Sequence, residues 1–225
     1  MKKNDVEKIF TILFQEFPDE SKDIDTELIY GNHYQLLVAI ILSAQMTDAG
    51  VNRVIKRLFP ILKSPLDAVG LGVDKINEYI KTINYHNTKS NHIVEMSQQL
   101  IDRFNMNVPD DFNDLISLSG VGRKTANLFL STAYQKPRIA VDTHVFRVAN
   151  RIGLANAKNV LATETQLYVN VPSRLYRQIN NLLIPFGRKY CKAIRPRCIK
   201  CPLHKFCKYV KKQSVTDKNT EVQHQ

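Results

Sequence analysis

Residues 118–127 read LSGVGRKTAN, and this stretch predicts two helices joined by a tight Gly-x-Gly turn. An apolar stripe within residues 112–116 precedes it, and the run 126–130 that follows suits a buried helix. Glycines tolerate positive φ and let the backbone approach a phosphate, which the N–H groups opening the second helix attract. The stretch therefore predicts a helix-hairpin-helix that grips nucleic acid through its backbone, with Gly120, Val121, Gly122 and Arg123 at the contact.

Two other interpretations of this turn differ in how well they fit. A nucleotide-binding P-loop needs a glycine directly before Lys-Thr, and Arg123 occupies that place, so the P-loop is rejected. A plain turn between two helices stays open.

Lys124 stands at the start of the second predicted helix, where the positive end of the helix dipole disfavours the ammonium form. A neutral amine is a nucleophile. Such a lysine can attack the anomeric carbon of a deoxyribonucleotide, expel the base and hold the opened sugar as a Schiff base. The alternative is an ordinary solvated charge near a helix start.

Asp142 follows in the segment IAVDTHVFR, residues 139–147. A carboxylate that returns to the hairpin after the turn near Pro137 can stabilise cationic charge on a sugar and relay the proton lost by Lys124. The simpler alternative is an N-cap for the helix that follows, and both roles can coexist in one side chain.

Composition narrows the class of partner. The chain has 225 residues, 44% of them hydrophobic, enough for one large core or two small lobes. Its net charge of +11 is concentrated toward the C-terminal end and favours a polyanion such as nucleic acid.

The longest apolar run, residues 36–42, is too short to span a membrane, and the N-terminus lacks a signal-peptide pattern. We therefore expect a cytosolic protein without membrane association.

Apolar residues recur at spacings of three and four, as they do along residues 93–104, and this predicts an all-helical fold. Proline-containing breaks divide the chain into helices of ordinary length. The segment 34–58 is expected to be one helix whose apolar first half runs through a core. The tail after residue 212 is polar and is expected to be disordered.

Four cysteines follow the pattern Cys191-x6-Cys198-x2-Cys201-x5-Cys207 and are more consistent with a metal centre than with disulfides. Zinc is an alternative, although common zinc sites often use two Cys-x2-Cys pairs, and only one such pair is present. Lys192, Arg195 and Arg197 lie between the first two cysteines, where a metal-pinned loop can contact phosphates or simply keep the lobe soluble.

LSGVGRKTAN at 118–127, VDTH at 141–144 and the cysteine pattern together resemble the endonuclease III family of helix-hairpin-helix DNA glycosylases with abasic-site lyase activity. The resemblance extends from about Tyr30 to about Tyr209. One departure is Ser119, where the family usually has proline, so some turn rigidity is expected to be lost.

The resemblance implies an all-α fold of two helical lobes with the active-site cleft between them. One lobe is a helical module at 26–137, with the helix-hairpin-helix at about 112–131. The other is an iron–sulfur module made of 1–25 and 138–212, and 213–225 is the polar tail.

The resemblance also implies the roles of individual residues. Lys124 is the Schiff-base nucleophile, Asp142 the catalytic carboxylate, and the four cysteines hold one four-iron four-sulfur cluster with a structural role. Gln45, in the segment LSAQMTD, fills the space left by an extruded nucleotide, and the loop INYHNTK with Tyr85 and His86 is the wedge. Tyr85 departs from the aliphatic wedge residue that is common in the family. The alternative interpretation of both segments is a polar loop or helix end without a DNA-binding role.

The implied function is removal of damaged, oxidised pyrimidines from double-stranded DNA, followed by cleavage of the abasic site by a monomeric enzyme. A monofunctional mismatch glycosylase is a second hypothesis, but no carboxylate lies near Ala39, where the adenine-removing branch carries a catalytic glutamate. A non-catalytic DNA-binding or redox-sensing iron–sulfur protein is a third.

Overall fold

The computed structural model describes residues 2–19 and 26–211, and every regular element in these ranges is a helix. The predicted all-helical fold is confirmed. The expected polar tail at 213–225 lies outside the described residues. The α-helices are α1 (Lys3–Glu16), α2 (His33–Ser43), α3 (Asp48–Leu58), α4 (Pro65–Ile80), α5 (His86–Phe104), α6 (Phe112–Ile116), α7 (Arg123–Tyr134), α8 (Thr143–Ile152), α9 (Val160–Asn170) and α10 (Gln178–Lys189).

Thr26–Arg138 forms one compact unit, which contains α2 to α7. Every residue from Tyr34 to Leu42 is buried, so α2 runs through the middle of a core formed with the other helices of this unit. A helix buried on all sides has no polar face, which explains why its sequence is apolar around its circumference. The expectation of a central helix is therefore correct for α2.

The single helix expected over residues 34–58 is wrong, because two helices occupy that segment. The chain breaks between Ser43 and Asp48 with Gln45 in the left-handed region at φ 59°. Thr47 then caps α3, since its side chain accepts the N–H of Gly50 at 3.2 Å. The Thr47-Asp48 pair is an N-terminal helix signal that outweighs the continuing apolar periodicity.

Prolines act as helix boundaries where the sequence predicts them. Helix α1 ends one residue before Phe17-Pro18, and α3 ends at Leu58, two residues before Pro60. Ser64 caps α4, which begins at Pro65, and Ser64 and Asp67 form a reciprocal capping box.

The second unit combines the described residues of 1–25 with those from 139 onward. Its core joins the apolar face of α1 to α8, α9 and α10, and the aromatic rings of Phe17 and Phe186 meet edge to face at 6.5 Å. Helix α1 is also tied to the later part of this unit by exposed ion pairs such as that from Arg174 to Glu7 at 2.6 Å. The segment after α10 carries short 3₁₀ turns at Cys198–Lys200 and His204–Phe206.

Across the described ranges, none of the helices combines the length and apolarity that a membrane crossing requires.

Candidate active site and cysteine centre

The hairpin between α6 and α7 depends on Gly120. Its φ is +74°, and a Cβ placed there would lie 2.8 Å from Cβ of His92 on α5. Both the backbone conformation and the close approach of α5 therefore require glycine. Gly122 has an ordinary φ of −86°, caps α7 without a side chain and has open space where a Cβ would be. The first glycine makes the turn, and the second leaves the helix end uncovered.

Ser119, the departure from the family pattern, is anchored to α5. Its backbone N–H donates to Oε1 of Gln99 at 2.8 Å, and its hydroxyl donates to Oε2 of Glu95 at 2.7 Å. Proline at this position offers neither donor. Serine therefore gives the turn two hydrogen bonds to α5 that a proline could not make.

Lys124 is exposed and occupies the first turn of α7, directly after the hairpin. Its neighbour Arg123 lies over the ring of Phe112, with the guanidinium carbon 4.8 Å from the ring centroid. Arg138 lies over the same ring at 5.4 Å. Phe112 therefore gathers two cations beside the end of the helix that carries Lys124.

Asp142 is the N-cap of α8, and its Oδ1 accepts the N–H of Val145 at 2.7 Å. The preceding segment is held by side chains from distant helices. Asn180 of α10 accepts the N–H of Ala140 at 3.1 Å and donates to the same residue's carbonyl at 2.6 Å. The hydroxyl of Tyr168 on α9 accepts the N–H of Ile139 at 3.0 Å. These contacts fix the backbone that delivers the carboxylate.

Lys124 and Asp142 belong to different compact units, Lys124 to the one at Thr26–Arg138 and Asp142 to the other. Their catalytic roles stay predictions. Asn180 and Tyr168 were missed by sequence reasoning, because hydrogen bonds between residues 40 and 29 positions apart leave no local pattern.

The two segments expected to flank an extruded nucleotide are joined in the structure. Gln45 and Tyr85 are both exposed, and both have a φ of 59°. The amide of Asn84 donates to the carbonyl of Gln45 at 2.9 Å. His86 instead points back to α4, where its Nδ1 lies 2.6 Å from Oδ1 of Asn77. The structure thus brings Gln45 and the Tyr85 loop together and holds the ring of His86 against a neighbouring helix.

All four cysteines line one pocket. Apolar and aromatic side chains complete the lining, among them Ile152 and Tyr209. Among the described residues, no three His, Cys, Asp or Glu side chains stand close enough together to hold a single metal ion. Four cysteine thiols that line one pocket form a donor set that a four-iron four-sulfur cluster can take, since such clusters are held by four cysteine thiolates.

Two arginines of α8 hold the first cysteine and its loop. Arg147 Nε donates to the carbonyl of Cys191 at 2.9 Å. Arg151 donates to Sγ of Cys191 at 3.6 Å and to the carbonyls of Lys192 and Ala193 at 2.6 and 3.1 Å. Sequence analysis missed both arginines, although their spacing of four residues on α8 puts them on one face.

The basic side chains of the cysteine loop are exposed, at Lys192, Arg195 and Arg197. Because Arg151 donates hydrogen bonds to the backbone of this loop, the loop holds these exposed cations in a defined position. Their contact with phosphates stays a prediction.

The chain is similar to known proteins over most of its length. The profile described as "HhH-GPD superfamily base excision DNA repair protein" matches residues 38–173. An endonuclease III of Haemophilus influenzae is 44% identical over 187 residues, which cover 83% of this chain and 89% of the relative. An endonuclease III of Escherichia coli strain K12 is 42% identical over 190 residues, covering 84% and 90%.

Two solved structures are similar over nearly the whole chain. One is a trapped endonuclease III–DNA covalent intermediate, with a TM-score of 0.86 and 37% identity over 95% of this chain and 99% of the other. The second is a non-covalent endonuclease III–DNA complex, with a TM-score of 0.86, 38% identity and the same coverage. The chain therefore belongs to the HhH-GPD superfamily of base excision DNA repair proteins and, within it, to the endonuclease III family of DNA glycosylases and lyases.

Proposed function

We propose that this enzyme removes oxidised pyrimidines from double-stranded DNA and then nicks the abasic site by β-elimination, with Lys124 as the nucleophile. The observation that carries the proposal is the position of Lys124, exposed in the first turn of α7 and directly after the Gly120 turn. A phosphate at that helix end brings a deoxyribose within reach of the amine. The covalent DNA intermediate trapped for a protein of similar structure supports the same step here.

The first step forms a bond from the Lys124 amine to C1′ of the damaged nucleotide as the bond from C1′ to the base breaks. The base leaves with the electrons of that bond and takes up a proton, while the lysine loses its own. We assign that proton transfer to Asp142, whose carboxylate also stabilises positive charge on the sugar. Capping of α8 uses Oδ1 of Asp142 and is compatible with this role.

The sugar ring then opens: the C1′–O4′ bond breaks, O4′ takes up a proton, and the nitrogen lone pair forms the protonated imine that joins Lys124 to C1′. The second step follows from this imine. An imine withdraws electrons, so the C2′ proton is acidic and can be removed by a base. The C3′–O bond then breaks with the 3′ phosphate as leaving group. Hydrolysis of the imine returns the free amine.

The four cysteines Cys191, Cys198, Cys201 and Cys207 are the proposed ligands of one four-iron four-sulfur cluster. When bound, the cluster supplies a cross-link within its lobe and leaves no ligand position open for substrate. Arg151 reinforces this cross-link because it bonds to Cys191 and to the loop that follows it. Lys192, Arg195 and Arg197 are the proposed phosphate contacts of that loop.

DNA recognition is assigned to three further places. The hairpin residues Gly120, Val121, Gly122 and Arg123 hold the phosphate backbone, Gln45 enters the space of the extruded nucleotide, and the Tyr85 loop acts as the wedge. An aromatic wedge can stack on bases, and Tyr85 is 63% exposed, as such a role requires. The partner is duplex DNA with a damaged base or abasic site, bound by a monomer at the nucleoid of the cytoplasm.

Borohydride trapping on an abasic-site oligonucleotide tests the proposal. The intact protein is expected to form a covalent adduct, and Lys124→Ala is expected to lose it while still binding the DNA. Lys75→Ala is the control, since it removes an exposed lysine of α4 that lies outside the proposed DNA contacts and should retain the adduct. Absence of an adduct with the intact protein rejects the lyase, and an adduct with Lys124→Ala rejects the assigned nucleophile.

Iron and sulfide analysis of the purified protein tests the cluster separately. About four irons and four sulfides per chain are expected for a single four-iron cluster. Stoichiometric zinc would reject the assignment.

A further inference from the structure

Gln45 and Tyr85 are two of the five exposed non-glycine residues that have a positive φ in the unit at Thr26–Arg138. Gln45 and Tyr85 both lie in the left-handed region at φ 59°, which non-glycine residues rarely adopt. Such conformations persist only where surrounding contacts determine them, and they concentrate at functional sites. The contacts that hold these two turns are therefore informative.

The end of α2 and the Gln45 turn accept hydrogen bonds from one neighbouring segment. Lys89 Nζ donates to the carbonyls of Leu42 at 2.8 Å and Ala44 at 2.7 Å. Asn84 donates to the carbonyl of Gln45 at 2.9 Å. Both donors lie within six residues of the chain, on either side of Tyr85.

Burying the ammonium group of Lys89 as a hydrogen-bond donor carries a desolvation cost. It is only 6% exposed, and burial lowers the pKa of its ammonium group to about 8. The carbonyls at a helix C-terminus attract a cation, which offsets part of the cost of burying the charge. Water can satisfy such carbonyls more cheaply at a surface, so the buried lysine has its main effect on the geometry of the turn.

We propose that Lys89 and Asn84 are positioning residues that tie the Gln45 turn to the Tyr85 loop, so that both side chains enter the DNA as one preorganised unit. The inference rests on the proposed function, in which Gln45 and Tyr85 flank the extruded nucleotide. It predicts that loss of either tie impairs nucleotide extrusion more than the chemistry at Lys124.

The direct test measures DNA distortion without catalysis. A duplex carries a tetrahydrofuran abasic analogue, with 2-aminopurine in the opposite strand as a reporter of unstacking. At saturating protein, the intact enzyme is expected to raise the fluorescence, and Lys89→Met and Asn84→Ala are expected to lose most of that rise. Lys75→Met is the charge-matched control, because Lys75 is an exposed lysine on α4 paired with Glu78. An undiminished rise in both variants overturns the proposal.

A second measurement separates positioning from general damage to the fold. Single-stranded abasic DNA needs no extrusion, so both variants should cleave it within about threefold of the intact enzyme. Base release from duplex DNA should fall about tenfold to a hundredfold, as misplacement by about 1 Å can cause. Equal losses on both substrates would indicate a merely structural role and reject the proposal.

Asn84→Ala keeps the proposal testable if Lys89→Met does not fold, since Asn84 is exposed. The double variant should lose little more than the worse single variant, because both ties hold one turn. If the intact protein cleaves neither substrate, the proposed function fails, while the fluorescence measurement still decides whether the two loops act together.

Discussion

The hairpin at 118–127 and the segment leading to Asp142 place their functional side chains by different means. Lys124 is delivered by the turn immediately before it, whose shape depends on Gly120. Asp142 is delivered by backbone that Asn180 and Tyr168 hold from other helices. A side chain that is positioned by its sequence neighbours can be recognised from the sequence. A side chain that is positioned by contacts from remote helices can be recognised only in the folded structure. Four sets of substitutions test this contrast, from the largest expected effect to the smallest.

Asp142→Asn separates the catalyst from the helix cap. Asparagine caps a helix about as well as aspartate, so α8 and the fold should be preserved. Loss of the carboxylate should lower base release by about a hundredfold or more with DNA affinity retained. Single-turnover glycosylase assays with a binding isotherm measure both. Asp142→Ala is the comparison variant, and it should also lose about 1 kcal/mol of stability with the cap. Unchanged turnover in Asp142→Asn would remove Asp142 from the mechanism.

Gly120→Ala and Gly122→Ala test whether Gly120 serves the fold of the hairpin and Gly122 serves phosphate binding. Alanine at Gly120 meets both a positive φ and the 2.8 Å approach of His92, and should cost about 2–4 kcal/mol of unfolding free energy. At Gly122 the φ of −86° and the open space limit the cost to under about 1 kcal/mol, while the added methyl group obstructs a phosphate. Denaturant unfolding and DNA titration should therefore rank the two variants in opposite orders. The same rank in both assays would show that the glycines are not specialised.

Asn180→Leu tests the remote support of Asp142. It leaves the N–H and carbonyl of Ala140 without their side-chain partner, at a cost of about 1–3 kcal/mol, and should lower kcat more than it changes KM. Asn181→Leu is a matched control, because the amide nitrogen of Asn181 is buried without a hydrogen-bond partner among the described residues. The control should be neutral or slightly stabilising. Equal effects of the two variants would argue against a positioning role for Asn180.

Ser119→Ala should have the smallest effect. It removes the hydroxyl bond to Glu95 but keeps the backbone N–H that donates to Gln99, so a loss of about 1 kcal/mol is expected. Glu95→Ala should cost a similar amount, and the double variant no more than either, as thermal unfolding can measure. A fully additive double variant would show that the pair does not interact.

Much of the fold was predictable because its signals are local. Proline breaks mark helix ends, apolar spacing of three and four marks helices, and the turn glycines mark the hairpin. The error at 34–58 arose where two local signals competed, since apolar periodicity continued across a Thr47-Asp48 helix start. The two hydrogen bonds of the serine at 119 were not predictable, because its partners Glu95 and Gln99 lie on another helix.

The sequence by itself determined the helical class, the hairpin with Lys124 at its helix end, the set of four cysteines and the family to which these motifs belong. Only the tertiary structure decided that Asn180 holds the approach to Asp142, that Arg151 holds the cysteine loop and that Lys89 holds the turn of Gln45. Helix periods and turn conformations are set by residues a few positions apart. A buried amide or ammonium group instead takes its partner from whichever chain segment the packing of the core brings next to it.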